Sequence, residues 1–500
     1  MSSLTSSSLL PPVWDGRCLT LHALPAATLG VVIDGSRFID LVAGEDGSAK
    51  LELAFSPSGN ARLALGIATA DAGHAAFAIE LGQPGLHAVE ASPQPLRNLG
   101  AAEQLVAPDA MPMQGEIAIV VPVYNAPDDV ERCLDSVLAH TTGPSRLIVI
   151  DDASTDVRIA PLLERYRGIA GVDILANAQN LGFTATVNRG IALAGEADVV
   201  LLNADAEVAE SWLTGLRRAL HAADDIATVT AVSDNAGAFS VPELERENPF
   251  PAAWTFAETA LALWQDAGLA YPQLPTGNGF CMAIRRQVIA AVGAFDVAAF
   301  PQGYGEENDF CQRACATGYR HLIAGNVLVR HARSRSFGHE RRQALGRAGM
   351  QVLRERWPRY EADVGAQLFS FERRVLDWRV RRIHAEATSR HPRLRALCFG
   401  TTAGIDTANA YDTLMLTSSN HGFALGRHGD PPLETSAHLD ARTASTWLQR
   451  HAIDRLVLAR EPLDPASTML ASAAVRLGVA LQCGEQFDAD ALRSFPRRPA

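Results

Sequence analysis

Between Ile117 and Asp205 four polar clusters each follow an apolar run that reads as a β-strand. Tyr124 and Asn125 follow IAIVVPV, and Asp151 and Asp152 close RLIVI. The run NLGF, Asn180 to Phe183, comes after VDILAN, and Asp205-Ala206-Glu207 after DVVLLN. Helix-period segments lie between the strands: DDVERCLDSVLAH, VRIAPLLERYR and FTATVNRGIALAG. Strands alternating with helices through short loops predict a mostly parallel α/β sheet with right-handed crossovers. In such a sheet the carboxyl ends of the strands line one edge, where ligands bind. Clusters far apart in sequence are therefore expected to meet in one crevice.

The rest of the chain frames that unit. At 500 residues it is long enough for several cores. Residues 1–112 alternate short apolar strands with Gly, Pro, Asp and Ser turns, which predicts a β-rich N-terminal domain, a small β-sandwich. Residues 107–115 read as a linker, and 116–360 as the α/β domain, with helices expected at TFAETALALWQDAG, at RQVIAAVG and from about His339 to Trp357. Residues 371–500 read as an arginine-rich helix followed by a small α/β module with no legible motif.

Composition excludes several classes. A hydrophobic content of 47% with 20% charged residues fits globular protein, and a net charge of −12 argues against a nucleic-acid partner. The seven cysteines match no zinc or redox spacing and read as free thiols of a reducing compartment. No secretory signal and no run of about 20 apolar residues stands out, so a cytoplasmic protein is expected. A peripheral contact with the inner face of the cell membrane is kept open by the segment 372–395. There Val375, Leu376, Trp378, Val380 and Ile383 interleave with Arg373, Arg374, Arg379, Arg381 and Arg382. Such a stripe either binds anionic lipid or packs on the neighbouring domain.

Each polar cluster has a chemical reading and a plainer one. Tyr124 can stack on a nucleobase or merely turn the chain. Asp151 and Asp152 can accept from a base N–H or a ribose hydroxyl, beside helix capping by Ser154 and Asp156. Asn180, Gly182 and Asn188 can approach a nucleotide closely, or form an ordinary helix entry. Asp205 and Glu207, one residue apart, can share a hard divalent cation such as Mg²⁺ or Mn²⁺ on a diphosphate. GEENDF at 305–310 holds three carboxylates in four residues. Crowding raises a carboxylate pKa toward that of a general base, whereas a solvated helix N-terminus is the plain alternative. A lone His331 has no special weight from composition.

Taken in order, VPVYN, VIDDASTD, NLGFTATVNRG, LLNADAEV, SDNAGAFSVP, GNGFCMAIRR, GEENDFCQRACATGYR and VLVRHARSRSFG resemble the family 2 glycosyltransferases. The nearest subgroup is that of the bacterial rhamnosyltransferase-like enzymes of surface-polysaccharide (O-antigen-like) synthesis. The resemblance spans about residues 116–360. It implies a GT-A fold and inverting, metal-assisted transfer from a nucleotide-diphosphate sugar to a glycan or lipid-linked glycan acceptor. Carried onto this chain, it implies that Tyr124 and Asp152 hold the base with Asp151 nearby. Asp205 and Glu207 would serve ribose, metal and diphosphate, His331 would complete the metal site, and Glu307, beside Glu306, would be the base. Glu207 and Glu307 both stand where the family usually has Asp. Two rivals remain: a sugar nucleotidyltransferase, disfavoured by the acidic loop VPVYNAPDD, and an inactive GT-A scaffold or glycan-binding subunit.

Overall fold

A computed structural model describes residues 10–14, 18–22, 27–33, 37–52, 62–69, 74–80, 90–91, 115–267, 271–332, 339–368, 370–400, 411–459, 464–483 and 486–487. Most of the linker expected at 107–115 lies outside them.

The α/β rhythm is realised as read. Strands β1 (Ile117–Val123), β2 (Ser145–Asp151), β3 (Val172–Ala176), β4 (Asp198–Leu202), β6 (Ile226–Val232), β7 (Cys281–Ile284) and β8 (Arg320–Leu328) form one seven-stranded sheet in the order β3-β2-β1-β4-β7-β6-β8. Only β7 runs antiparallel to its neighbours. Two further strands, β5 (Ala206–Glu207) and β9 (Arg330–His331), pair as a short ribbon outside the sheet. Continuous apolar runs suit strands covered on both faces. Ile117, Ile119, Val121 and Val123 pack on one side of β1, and Ala118 and Val120 on the other.

Helices α1 (Pro127–His140), α2 (Ile159–Glu164), α3 (Phe183–Leu193), α4 (Trp212–Leu220), α5 (Phe256–Asp266), α6 (Arg286–Val292) and α7 (Glu306–Ala316) supply that cover. The ends of α1 are legible in the sequence. Pro127 opens it, Asp128 and Asp129 face the positive end of its dipole, and His140 sits in the last turn. Its buried face, Val130, Cys133, Leu134 and Val137, has helical spacing. A capping box between Thr255 and Glu258 opens α5.

Helices α8 (His339–Arg356), α9 (Tyr360–Leu368) and α10 (Phe371–Ala385) follow. Among the described side chains of the α10 stripe, Leu376, Val380 and Ile383 are turned inward, into the core of the α/β domain. Four of its arginines are engaged. Buried Arg373 pairs with Asp377 and donates to the carbonyls of Ala238 and Ser240, and buried Arg379 donates to Ala267 O. Arg381 pairs with Glu243 and Arg382 with Glu386. Of the two readings of this stripe, packing on the domain is the one the geometry supports. In liposome flotation at low salt the protein is expected to stay unbound to anionic vesicles, because exposing the stripe would break these pairs.

The N-terminal strands form two antiparallel sheets. One holds Leu10–Trp14, Cys18–His22 and Ser48–Glu52; the other holds Thr28–Ile33, Arg37–Val42, Arg62–Thr69, His74–Glu80 and Glu90–Ala91. The C-terminal module is larger than its sequence suggests. Strands β10 (Leu394–Phe399), β11 (Tyr411–Ser419), β12 (Gly422–Gly426), β13 (Glu434–Ser436), β14 (Arg455–Leu458), β15 (Ala480–Cys483) and β16 (Gln486–Phe487) form a second seven-stranded sheet. Helices α11 (Ala441–Arg450) and α12 (Pro465–Leu477) pack on it. It docks on α4, where buried Arg218 donates to Leu477 O at 3.0 and 3.3 Å and lies over the Trp264 ring.

Candidate functional site

The carboxyl edge of the main sheet carries the predicted strand-end residues. At the end of β1 the chain turns through Asn125 (φ 58°) and Ala126 (φ 53°), both left-handed and unusual for residues with a Cβ. Asn125 clamps the loop after β2. Its side-chain oxygen accepts from the N–H groups of Thr155 and Asp156, and its own N–H donates to Ser154 Oγ at 2.8 Å. Ser154 thus ties two loops together rather than capping α2, and Asp156 accepts from Arg158. Tyr124 lies half-buried beside this clamp.

Asp151 and Asp152 behave differently. Asp152 is only 4% exposed. Its Oδ1 accepts from Asn177 Nδ2 (2.7 Å) and Leu181 N (2.8 Å), and its Oδ2 accepts from Gly182 N (3.0 Å). Asn180 Nδ2 donates to the Asp152 carbonyl at 3.2 Å. This carboxylate shapes loop 177–182 by accepting three of its N–H groups. Asp151 is half-buried and binds within its own turn, accepting from Ser154 N at 2.9 Å.

Two further predicted residues are held by the protein itself. Asn188 is bonded in both directions to the Phe295 backbone, donating to its oxygen and accepting from its N–H. It holds α3 to the loop after α6. Gly182, at φ 84°, is required by protein rather than by a nucleotide: a Cβ there would stand 2.4 Å from Pro301 O.

The ribbon β5–β9 explains Asp205, Glu207 and His331. Ala206 pairs with His331 and Glu207 with Arg330, so the end of β4 lies beside a residue over a hundred positions later. His331 Nε2 comes 3.3 Å from Asp205 Oδ1, while Glu207 pairs with Arg330 at 3.2 Å. Among the described residues no three His, Cys, Asp or Glu side chains are gathered as a metal cage. The predicted trio is therefore a duo, with Glu207 drawn to a guanidinium. The duo still suits a divalent cation. His331 Nδ1 donates to Asn235 O at 3.0 Å, which turns Nε2 toward a carboxylate oxygen. Two acceptors that close need a proton or a cation between them. Phe280 stacks on the ring, and Asp234 Oδ1 accepts the His331 N–H at 2.9 Å. Asp234 follows β6, and burial raises its pKa. Asp234 and Asn235 lie in the run SDNAG, which carries no role legible in sequence because their partner, His331, is remote.

Helix α7 begins at Gly305, whose φ of 140° and closeness to the Phe300 ring exclude a side chain. Thr184, at the start of α3, donates to Phe300 O, which brings this helix start to the carboxyl edge as well. Glu306 is 3% exposed and accepts from Gly305 N at 3.1 Å. Burial first, then the neighbouring Glu307, pushes its pKa well up. Glu307 is raised by burial and lowered by a hydrogen bond from Glu306. Burial of two adjacent carboxyls raises both pKa values, that of Glu306 the further. Asp309 on the same helix is different: it is 1% exposed and receives Arg313, Arg356 and Trp357, fixing α8 to α7.

These features sit on a segment with known relatives. Residues 118–293 match the family model described as Glycosyl transferase family 2. The matched segment runs from β1 through α6 and contains the Asp151, Asp152 and Asp205 clusters, and the sheet it belongs to is α/β and mostly parallel, as a GT-A fold requires. Glu306, Glu307 and His331 lie beyond it. The chain is 34% identical over 96 residues to the uncharacterized glycosyltransferase YibD of Escherichia coli, which covers 19% of this chain and 27% of that protein. It is 26% identical over 255 residues to an N-acetylglucosaminyl-diphospho-decaprenol L-rhamnosyltransferase of Mycobacterium tuberculosis, covering 46% of this chain and 80% of that protein. Among solved structures it is similar to a mannosyltransferase of Pyrobaculum calidifontis in complex with GDP-Man and Mn²⁺, at 18% identity and a TM-score of 0.37. That likeness covers 58% of this chain and 80% of that one.

Proposed function

We propose that this chain is an inverting glycosyltransferase. It would move a sugar from a nucleotide-diphosphate sugar to a glycan or lipid-linked glycan acceptor in bacterial surface-polysaccharide synthesis. The observation that carries the reading is the pairing of Asp205 with His331 Nε2 at the strand-end edge, in a chain whose segment 118–293 matches the family model. The named relatives are glycosyltransferases, and the mycobacterial one is a rhamnosyltransferase named for a diphospho-lipid-linked sugar, which supports an acceptor of that kind.

In this reading Tyr124 and Asp151 receive the base and ribose, positioned by the Asn125 clamp and by Asp152. Asp205 and His331 would hold Mg²⁺ or Mn²⁺, which when bound offsets the charge of the diphosphate. Glu307 takes the proton of the acceptor hydroxyl, and the oxygen displaces the nucleoside diphosphate from the opposite face of the anomeric carbon. One displacement needs one base and no second carboxylate nucleophile. The acceptor pocket is assigned to the irregular segment 233–300. An inactive scaffold would not require two adjacent carboxyls whose pKa values burial raises, so the catalytic reading is preferred.

Calorimetric titration of UDP and GDP with and without Mn²⁺ tests the donor side. Metal-dependent nucleotide binding is expected in the wild type and is expected to be lost in Asp205→Asn and His331→Ala, with both variants folded. Glu207→Gln should lose much less, since that side chain is held by Arg330. Unchanged metal dependence in Asp205→Asn would remove the proposed cation site.

A further inference from the structure

Where α5 ends and the C-terminal module begins, the structure holds a cavity of about 530 Å³ that none of the strand-end residues lines. Gln265 and Asp266 border it from the α/β domain. Arg390, Arg393, Arg395 and Arg427 border it from the module, with Asp412 and Thr413 at the start of β11. From these observations we infer a second ligand site here, for a phosphoryl-bearing ligand.

The charge is the first argument. Four guanidiniums face two carboxylates, in a chain whose net charge is −12. Asp412 is shared: Arg395 and Arg427 both pair with it at 2.9 Å. Asp266 pairs with Arg390, which also reaches Glu386. One carboxylate cannot neutralise two guanidiniums, so the cavity keeps a positive excess focused by its walls. Arginine is also the side chain whose planar fork matches phosphate oxygens.

Polar groups are the second argument. The hydroxyl of Thr413 is buried at this cavity without a hydrogen-bond partner. A buried unpaired hydroxyl is costly unless a ligand or water completes it. Tyr411 adds an aromatic ring, held by Arg455 at 4.9 Å from its centroid. The volume lies within the range of small-molecule sites and exceeds what a bare phosphate ion fills. A sugar phosphate or a nucleoside diphosphate would use the guanidiniums for its phosphoryl oxygens and Gln265, Tyr411 and Thr413 for the remainder. The segment SRHPRLR, which had no role at the strand-end crevice, supplies three of the four arginines.

The test is calorimetry on the full chain in EDTA, which silences a metal-dependent catalytic site. Inorganic phosphate, inorganic pyrophosphate, UDP and glucose 1-phosphate are titrated at low salt. One of these probes is expected to bind, more weakly as salt rises. The double variant Arg393→Gln/Arg427→Gln, made at two exposed positions, should lose about tenfold or more in affinity. Asp205→Asn should bind like wild type, so this result stands or falls apart from the donor site. Tighter glucose 1-phosphate than pyrophosphate identifies a phosphorylated glycan, and the reverse a diphosphate. If none of the four binds, or if the double variant binds equally well, the cavity is not a phosphoryl site.

Discussion

Glu307→Gln is expected to lower the rate of sugar transfer by about 10²–10⁴-fold while leaving nucleotide binding unchanged, the usual worth of a general base. The amide keeps the size of the carboxylate and cannot accept the acceptor's proton. Glu306→Gln is the informative partner. Burial, with Glu307 beside it, raises the pKa of Glu306 well above the ordinary glutamate range, which favours its neutral form. A glutamine there is also neutral and can still donate to Glu307, so transfer should remain within a few-fold of wild type. Initial rates with a saturating donor, measured alongside nucleotide affinity, separate the two variants. A dead Glu306→Gln beside a near-normal Glu307→Gln would reverse the assignment.

The same pair sets a pH dependence. Burial raises the pKa of Glu307, so the base is lost to protonation at a higher pH than an ordinary glutamate would be. The acid limb of kcat/KM should therefore lie above the usual carboxylate range. Stability runs the other way for Glu306. Its folded pKa is raised, so its contribution is full below the unfolded value and declines as pH rises through the folded one. Glu306→Gln should flatten that decline in denaturation curves taken across acid to neutral pH.

The sheet was legible because buried parallel strands are short continuous apolar runs, and the helices between them keep a 3.6-residue period. VVPV, LIVI and VVLL could hardly be anything else. The ribbon was not legible, since two residues per strand carry no period, and it alone brings His331 to Asp205. Side-chain partners were equally hidden. Asp152 and Asp151 are adjacent and chemically identical, but only Asp152 points toward Asn177 and the N–H groups of Leu181 and Gly182. Asn188 looked free to meet a nucleotide because its partner, Phe295, lies 107 residues away. In the C-terminal module, strands such as YDTLMLTSS mix exposed polar with buried apolar positions, which concealed much of that sheet. Resemblance located the crevice, whereas the hydrogen bonds decide which carboxylates are left to work in it.

Those hydrogen bonds give Asp152→Asn and Asp151→Asn opposite outcomes. In Asp152→Asn a carboxylate that accepts three N–H groups becomes an amide whose NH₂ must face one of them. Charge-assisted hydrogen bonds contribute about 1.5–3 kcal/mol each, and a buried donor left unpaired adds a desolvation cost. A loss of roughly 3 kcal/mol of stability is therefore expected, with loop 177–182 released. That loop touches Pro301 and Gln302 through Gly182, just before the helix that carries Glu306 and Glu307. Transfer should fall together with stability, even where nucleotide still binds. Asp151→Asn removes a half-exposed carboxylate with a single local bond, so the melting transition should barely move. Its loss should appear as weaker nucleotide affinity, with the transfer rate at saturating donor largely kept. Urea denaturation and calorimetry on the two variants decide the matter. A stable Asp152→Asn that has lost only nucleotide affinity would return the base-binding role to Asp152.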